Sequence, residues 1–263
     1  MDTRPIGIFD SGVGGLTVIN KVLRLLPNEN IIYFGDTARV PYGNKSKETI
    51  IRFSKEIVKY LLGFKVKLIV VACNTASSLS LETLKRSFSV PVVGVIKPGV
   101  EEALKVSRNK RIGVIGTEAT ISSNTYKKAI ENIDKSFFVI QKSCPLFVPL
   151  VENMHLYDDI AVRVAENYLS PIFNKGIDTL ILGCTHYPLL KNVIQRIAGR
   201  DIELIDSSMA VARHVKRLME RRNLIGGSIR PYTKFFASDN TENFSKLAKI
   251  FLRKSITARR VIF

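Results

Sequence analysis

The chain holds only three cysteines in 263 residues, Cys73, Cys144 and Cys184, an odd count well below the density of a disulfide-stapled scaffold. That excludes a disulfide framework and favours a reducing compartment, so a cytoplasmic location is expected. No apolar run approaches the ~18 residues of a membrane span, and the opening MDTRPIG lacks a charged stretch followed by an apolar one. No C-x-x-C or H-x-x-x-H pair is present to preorganise a metal. The phosphate motifs are missing too. In IGIFDSGVGGLTV, Ile6 to Val18, three glycines follow an apolar run, which predicts a strand turning into a helix with backbone N–H groups free to hold an anion. A dinucleotide fingerprint starting at Gly12 would need glycine where Thr17 stands, and no Gly-Lys-Ser/Thr follows for a P-loop. Asp10 at the mouth of the turn would repel a phosphate unless a metal lay between them.

What the chain has in excess is positive charge: 40 Lys plus Arg against 23 Asp plus Glu, a net of +17. Such a balance suits nucleic acid or an anionic surface. The excess is regional, however, because residues 216–263 carry 12 Lys or Arg and 3 Asp or Glu, nine of the seventeen net charges. Basic residues on solvated faces explain it equally well, so nucleic-acid binding stands as an alternative from another function class. Apolar content of 46% and charged content of 24% are those of an ordinary globular protein.

Short β-branched runs alternate with amphipathic stretches throughout, as in NIIYFGD, SKETIIRFSKEIVKYLLGF, VKLIVVACN and ASSLSLETLKRSF. Strands apolar on both faces and separated by helices predict an α/β protein with a parallel sheet covered on both sides. The strands also repeat. IGIFDS at Ile6 matches IGVIGT at Ile112, and IYFGD at Ile32 matches FVIQK at Phe138, both 106 residues on. LIVVACNT places Cys73 where TLILGCTH places Cys184, and VPVVGVI matches DIELIDS, both at 111 residues. This predicts two similar domains related by a pseudo-two-fold axis, with a site in the cleft between them. The first closes near IKPGVEEA, where Pro98 and Gly99 mark a break before a new helix. The second runs to about Asp206. A helix from SSMAVARHVKRLMERR, capped by Ser207 or Ser208, then leads to a strand in YTKFFASD and a helix in TENFSKLAKIFLRK that return to the first. The expected domains are residues 1–97 with 207–263, and residues 98–206.

Ligands of open parallel sheets bind beyond the carboxyl ends of the strands. Asp10, Asp36, Cys73, Asn74, Thr117, Cys184 and His186 all follow apolar runs at such ends. Facing halves would set Cys73 and Cys184 on opposite walls of one cleft, one thiol to each face of a small substrate. That arrangement suits removal of a proton from one face of a tetrahedral carbon and its return to the other, each thiol serving as acid or base. Asp10 and His186 are the candidate partners of the two sulfurs. Cys144 has no counterpart and reads as a packing residue. His155 and His214 read as surface or helix-face positions, and Asp36 as the cap of the turn GDTARVPYG. Cys73, Cys184, His186 and Asp10 could together hold zinc, but their spacing preorganises no site, and no metal is assigned.

The motifs IFDSGVGGLTV, YFGDTARVPYGNKS, VACNTASS, PVVGVIKPG, IGVIGTEAT, CPLFVPLVE, LILGCTHYPLL and IDSS, in this order along nearly the whole chain, resemble the glutamate racemases of the cofactor-independent aspartate/glutamate racemase family. ACNTA with GCTHYP is the diagnostic pair. The resemblance implies that Cys73 and Cys184 are the catalytic pair, with Asp10 beside the first and Glu152 and His186 assisting the second. It implies substrate contacts at Asp10, Ser11, Tyr42, Gly43, Asn74, Thr75, Thr185 and His186, with Thr117 and Thr120 as further contacts. It also implies interconversion of L- and D-glutamate without pyridoxal phosphate, D-glutamate supply for peptidoglycan, and a homodimer. Glu152 comes from the resemblance alone, since LVENMHL reads as an exposed turn. Composition does not set side-chain length specificity, so racemisation of aspartate or another amino acid is the alternative within enzymes. Two departures stand out: Met154 follows VEN where the family leads one to expect glycine, and the stretch beyond Leu252 is unusually basic.

Overall fold

The computed structural model describes residues 2–263. The chain begins β1 (Ile6–Asp10), α1 (Leu16–Leu25), β2 (Ile31–Gly35), α2 (Lys47–Leu62), β3 (Leu68–Val71), α3 (Asn74–Ser87), β4 (Val92–Gly94) and α4 (Ile96–Val106). It continues β5 (Arg111–Gly116), α5 (Glu118–Ser122), α6 (Thr125–Glu131), β6 (Phe138–Ser143), α7 (Phe147–Glu152), α8 (Asp159–Phe173), β7 (Thr179–Gly183), α9 (Lys191–Ala198) and β8 (Glu203–Ile205). Last come α10 (Ser207–Arg221), β9 (Thr233–Ala237), α11 (Thr241–Leu252) and β10 (Ala258–Arg260).

All strand pairings among these residues are parallel, in one six-stranded sheet ordered β10-β9-β2-β1-β3-β4 and one four-stranded sheet ordered β6-β5-β7-β8. The block β2-β1-β3-β4 and the whole second sheet have the same order. The sequence repeat is thus a repeat of topology, in which β1 corresponds to β5 and β3 to β7. In each sheet the strand order reverses beside the first strand, where such sheets open a crevice at their carboxyl ends.

Every residue of β1, β2 and β3 is buried, which is why these strands carry no polar face. Ser46 starts α2 by accepting the Thr49 N–H at 3.3 Å. From there Ile50, Phe53, Ile57, Val58 and Leu61 recur at helical spacing and are buried in an apolar cluster on one face of the first sheet. A second cluster passes from the other face into the second sheet by way of Val100 and Ala103 on α4 and Val211 and Val215 on α10. The two sheets therefore share one continuous core.

Two expectations are corrected, and one strand was not expected. The break before α4 falls ahead of Ile96, and Pro98 and Gly99 sit in the helix's first turn, where a missing N–H costs little. Asp206, rather than a serine, caps α10, its carboxylate taking the Ser208 N–H at 2.9 Å. β10 has no counterpart in the expectation, because three residues, two of them arginine, show no alternation to read.

Candidate active site

The segments that follow β1, β3, β5 and β7 together line a cavity of about 440 Å³, and both Cys73 and Cys184 lie in its wall. Each cysteine comes just after a fully buried strand, so the backbone delivers the thiol to the carboxyl edge of its sheet. Cys73 is also the N-cap of α3. Its sulfur accepts the Ala76 N–H at 3.4 Å and donates to Ser11 Oγ at 3.8 Å.

A helix N-terminus by itself favours a thiolate. Here burial, followed by the nearby Asp10 charge, outweighs the Ala76 and Ser11 hydrogen bonds and pushes the Cys73 thiol up to about 12. Asp10 is fully buried and lies behind the cavity wall rather than in it. Its carboxylate accepts the Gly12 N–H at 3.1 Å, with the N–H groups of Ser11 and Gly15 also turned to it. The anion held by the glycine turn is the chain's own Asp10. Burial raises the Asp10 pKa, opposed by the His186 charge and these three N–H groups.

On the second wall Cys184, His186 and Glu152 stand in a row. Cys184 Sγ lies 3.9 Å from His186 Nδ1, and His186 Nε2 lies 3.2 Å from Glu152 Oε1. Burial alone would lower the His186 pKa, but the hydrogen bonds to Cys184 and Glu152 prevail and raise it to about 10. His186 is thus placed between the Cys184 sulfur and the Glu152 carboxylate, within reach of a proton exchange with Cys184. Glu152 ends α7, and the helix closes in a Schellman turn: His155 N–H to Leu150 O at 2.9 Å, Met154 N–H to Val151 O at 3.1 Å. Met154 occupies the left-handed position of that turn at φ 68°, where glycine is favoured. The departure from the family pattern thus falls where the backbone would prefer the family's residue.

Polar groups complete the site. Asn74 accepts from the Tyr126 hydroxyl at 2.7 Å, and the hydroxyls of Thr75, Thr117 and Thr120 form a triangle with edges of 2.9, 2.9 and 3.2 Å. Both contacts tie the first sheet's lobe to the second. Ser11, Tyr42, Gly43, Asn74, Thr75, Thr117, Thr185 and His186 line the cavity, whereas Thr120 stands behind Thr117. Gly14 is required by the same approach of the lobes, since a Cβ there would lie 2.2 Å from Thr185 Oγ1. Val148 and Pro149, within the CPLFVPLVE motif, add an apolar stretch of wall that no residue-level expectation named.

The remaining candidates lie elsewhere. Cys144 is buried outside the cavity, its thiol raised to about 12 by burial. His155 pairs with Asp158 at 2.6 Å on the surface, and His214 lies on α10. Asp36 is no turn cap: its fully buried carboxylate accepts from Tyr42, Ser238 and Arg39. Two of those partners are distant in sequence or undistinguished in it, which hid the arrangement. Among the described residues, no group of three or more His, Cys, Asp or Glu side chains could hold a metal, and no helix is long and apolar enough to cross a membrane.

Residues 6–215 match the model of the Asp/Glu/Hydantoin racemase family. A curated glutamate racemase of Persephonella marina is 53% identical over 251 residues, 95% of this chain and 94% of that protein. Among solved structures, a glutamate racemase isoform from Bacillus anthracis superposes with a TM-score of 0.96 at 39% identity, covering 99% of this chain and 98% of that one. A Francisella tularensis glutamate racemase in complex with D-glutamate gives 0.93 at 38% identity, covering 99% and 98%. Two parallel sheets of matching order, a cavity at their facing carboxyl ends and these likenesses agree: the chain belongs to the Asp/Glu/Hydantoin racemase family and is an amino-acid racemase, an isomerase.

Proposed function

We propose that the chain interconverts L- and D-glutamate by a two-base proton transfer between Cys73 and Cys184. The observation that carries this reading is the presence of both thiols, at equivalent strand ends, in the wall of one cavity, each with a different proton partner. Glutamate is favoured as substrate by the names of the relatives and by the D-glutamate complex of the Francisella tularensis protein.

One cysteine, as thiolate, takes the α-proton; the other, as thiol, delivers a proton to the opposite face of Cα. Asp10 and Ser11 serve the Cys73 side, and His186 with Glu152 serves the Cys184 side. Asn74, the threonine hydroxyls and the Tyr42–Gly43 turn hold the substrate's charged ends. Forming a carbanion requires donors fixed before reaction in a water-poor site, so the part of the chain carrying the six-stranded sheet closes against the part carrying the four-stranded sheet over the substrate. D-Glutamate made this way would feed cell-wall peptidoglycan in the cytoplasm.

The test is deuterium incorporation at Cα from each glutamate enantiomer in heavy water, with aspartate run in parallel. Wild type should exchange and racemise glutamate, while Cys73→Ser and Cys184→Ser should each lose racemisation by at least ~100-fold. Near wild-type racemisation by either single variant would refute the two-base route, and faster turnover of aspartate would refute the substrate.

A further inference from the structure

Behind the turn that carries Tyr42 and Gly43 lies a buried charge network outside the proton-transfer groups. The Asp36 carboxylate accepts the Tyr42 hydroxyl, Ser238 Oγ at 2.8 Å and Arg39 Nε at 2.7 Å. Arg39 also pairs with Glu56, and its guanidinium lies between two rings, 4.1 Å from the Phe53 centroid and 4.8 Å from that of Phe263. Ser238 Oγ accepts the Ala38 N–H at 2.8 Å, and the Thr37 hydroxyl both donates to the Asp239 carbonyl and accepts the Asp239 N–H. Phe263 packs in turn on Phe34 and Tyr60, with centroids at 5.2 and 6.0 Å.

Residues 37–44 contain only two short 3-10 turns, so little of their shape is fixed by their own backbone hydrogen bonds. Several of their anchors come from just past the end of β9, at Ser238 and Asp239, and from Phe263 after β10. A planar guanidinium near two aromatic rings, with Nε on the Asp36 carboxylate and Nη1 on Glu56, has one orientation, which a lysine at the same place would not reproduce. On the other side, the turn bears on the second lobe, because a Cβ on Gly43 would lie 2.8 Å from Thr117 Cβ.

We propose that Asp36, Arg39 and Phe263 are positioning residues that hold the Tyr42–Gly43 turn at the cavity from behind, so that the basic C-terminal segment sets substrate affinity. The proposal rests on the reading of this cavity as the glutamate site. It is tested on the full chain with Asp36→Asn, Arg39→Lys and Phe263→Ala, measuring kcat and KM for both enantiomers and amide exchange across residues 37–44. Each variant should raise KM about tenfold with kcat within about threefold, and should speed exchange in that segment. Phe263→Tyr, which keeps a ring over Arg39, should restore wild-type KM. Should Asp36→Asn fail to fold, Phe263→Ala decides, because that side chain is half exposed. Unchanged KM in a folded Phe263→Ala, or unchanged exchange of the segment, overturns the proposal. A wild-type protein inactive on glutamate would instead refute the substrate reading, and the exchange measurement would still decide the positioning role.

Discussion

Gly14→Ala is the sharpest single-atom probe of the site. The added Cβ would sit 2.2 Å from Thr185 Oγ1, 2.6 Å from His186 Nδ1 and 2.8 Å from His186 Cε1. An ordinary contact is about 3.5 Å, so the threonine must withdraw by roughly 1.3 Å and the imidazole by roughly 0.9 Å. Neither can swing away freely, since the imidazole is held by Cys184 and Glu152 and both residues are buried. Overpacking of this kind costs about 1–3 kcal/mol, which at ~2–4 °C per kcal/mol for a chain this long lowers Tm by several degrees. The effect on rate is separate, because a displacement of about 1 Å at reacting groups costs on the order of 100-fold. Racemisation followed by circular dichroism in both directions, with a melting curve on the same sample, separates the two. A folded Gly14→Ala with activity within about threefold of wild type would refute the reasoning, since Cys184's partner would then tolerate movement.

Met154→Gly should raise stability by about 1 kcal/mol, the cost of a side chain at φ 68° less the entropy glycine adds to the unfolded chain, seen as a Tm higher by ~2–4 °C. Lys67 and Glu29 form a fully buried pair at 2.6 Å, so Lys67→Met alone should cost about 3–5 kcal/mol in denaturant unfolding, with part regained in Lys67→Met/Glu29→Leu. Because the folded His186 pKa, about 10, exceeds its unfolded value, its contribution to stability is complete below about pH 6.5 and is lost as pH rises to about 10. The urea midpoint of wild type should therefore fall across that window more steeply than that of His186→Gln.

The strands were legible because burial on both faces leaves them continuously apolar, and the repeat was legible because Cys73 and Cys184 end matched strands. Asp10 was legible as a polar residue at a strand end, but its environment was not: the turn's N–H groups close on Asp10 itself, a local geometry that the pattern of glycines leaves open. Glu152 was reachable only by resemblance, since its place beside the cavity depends on a Schellman turn and on a histidine 34 residues away. Asp36 was misread because the side chains that bury it come from Arg39, Tyr42 and the distant Ser238.

By itself the sequence determined the α/β class, the repeat and the pair of thiols, because periodicity and the placement of a residue at a strand's end are local properties of the chain. The tertiary structure alone decided what surrounds those thiols. Burial pushes Cys73 up, the partners of His186 outweigh the burial that would lower it, and strands from the end of the chain brace a turn near its beginning. Each of these depends on groups far apart in sequence sharing a low-dielectric interior, and no local pattern records which groups those will be.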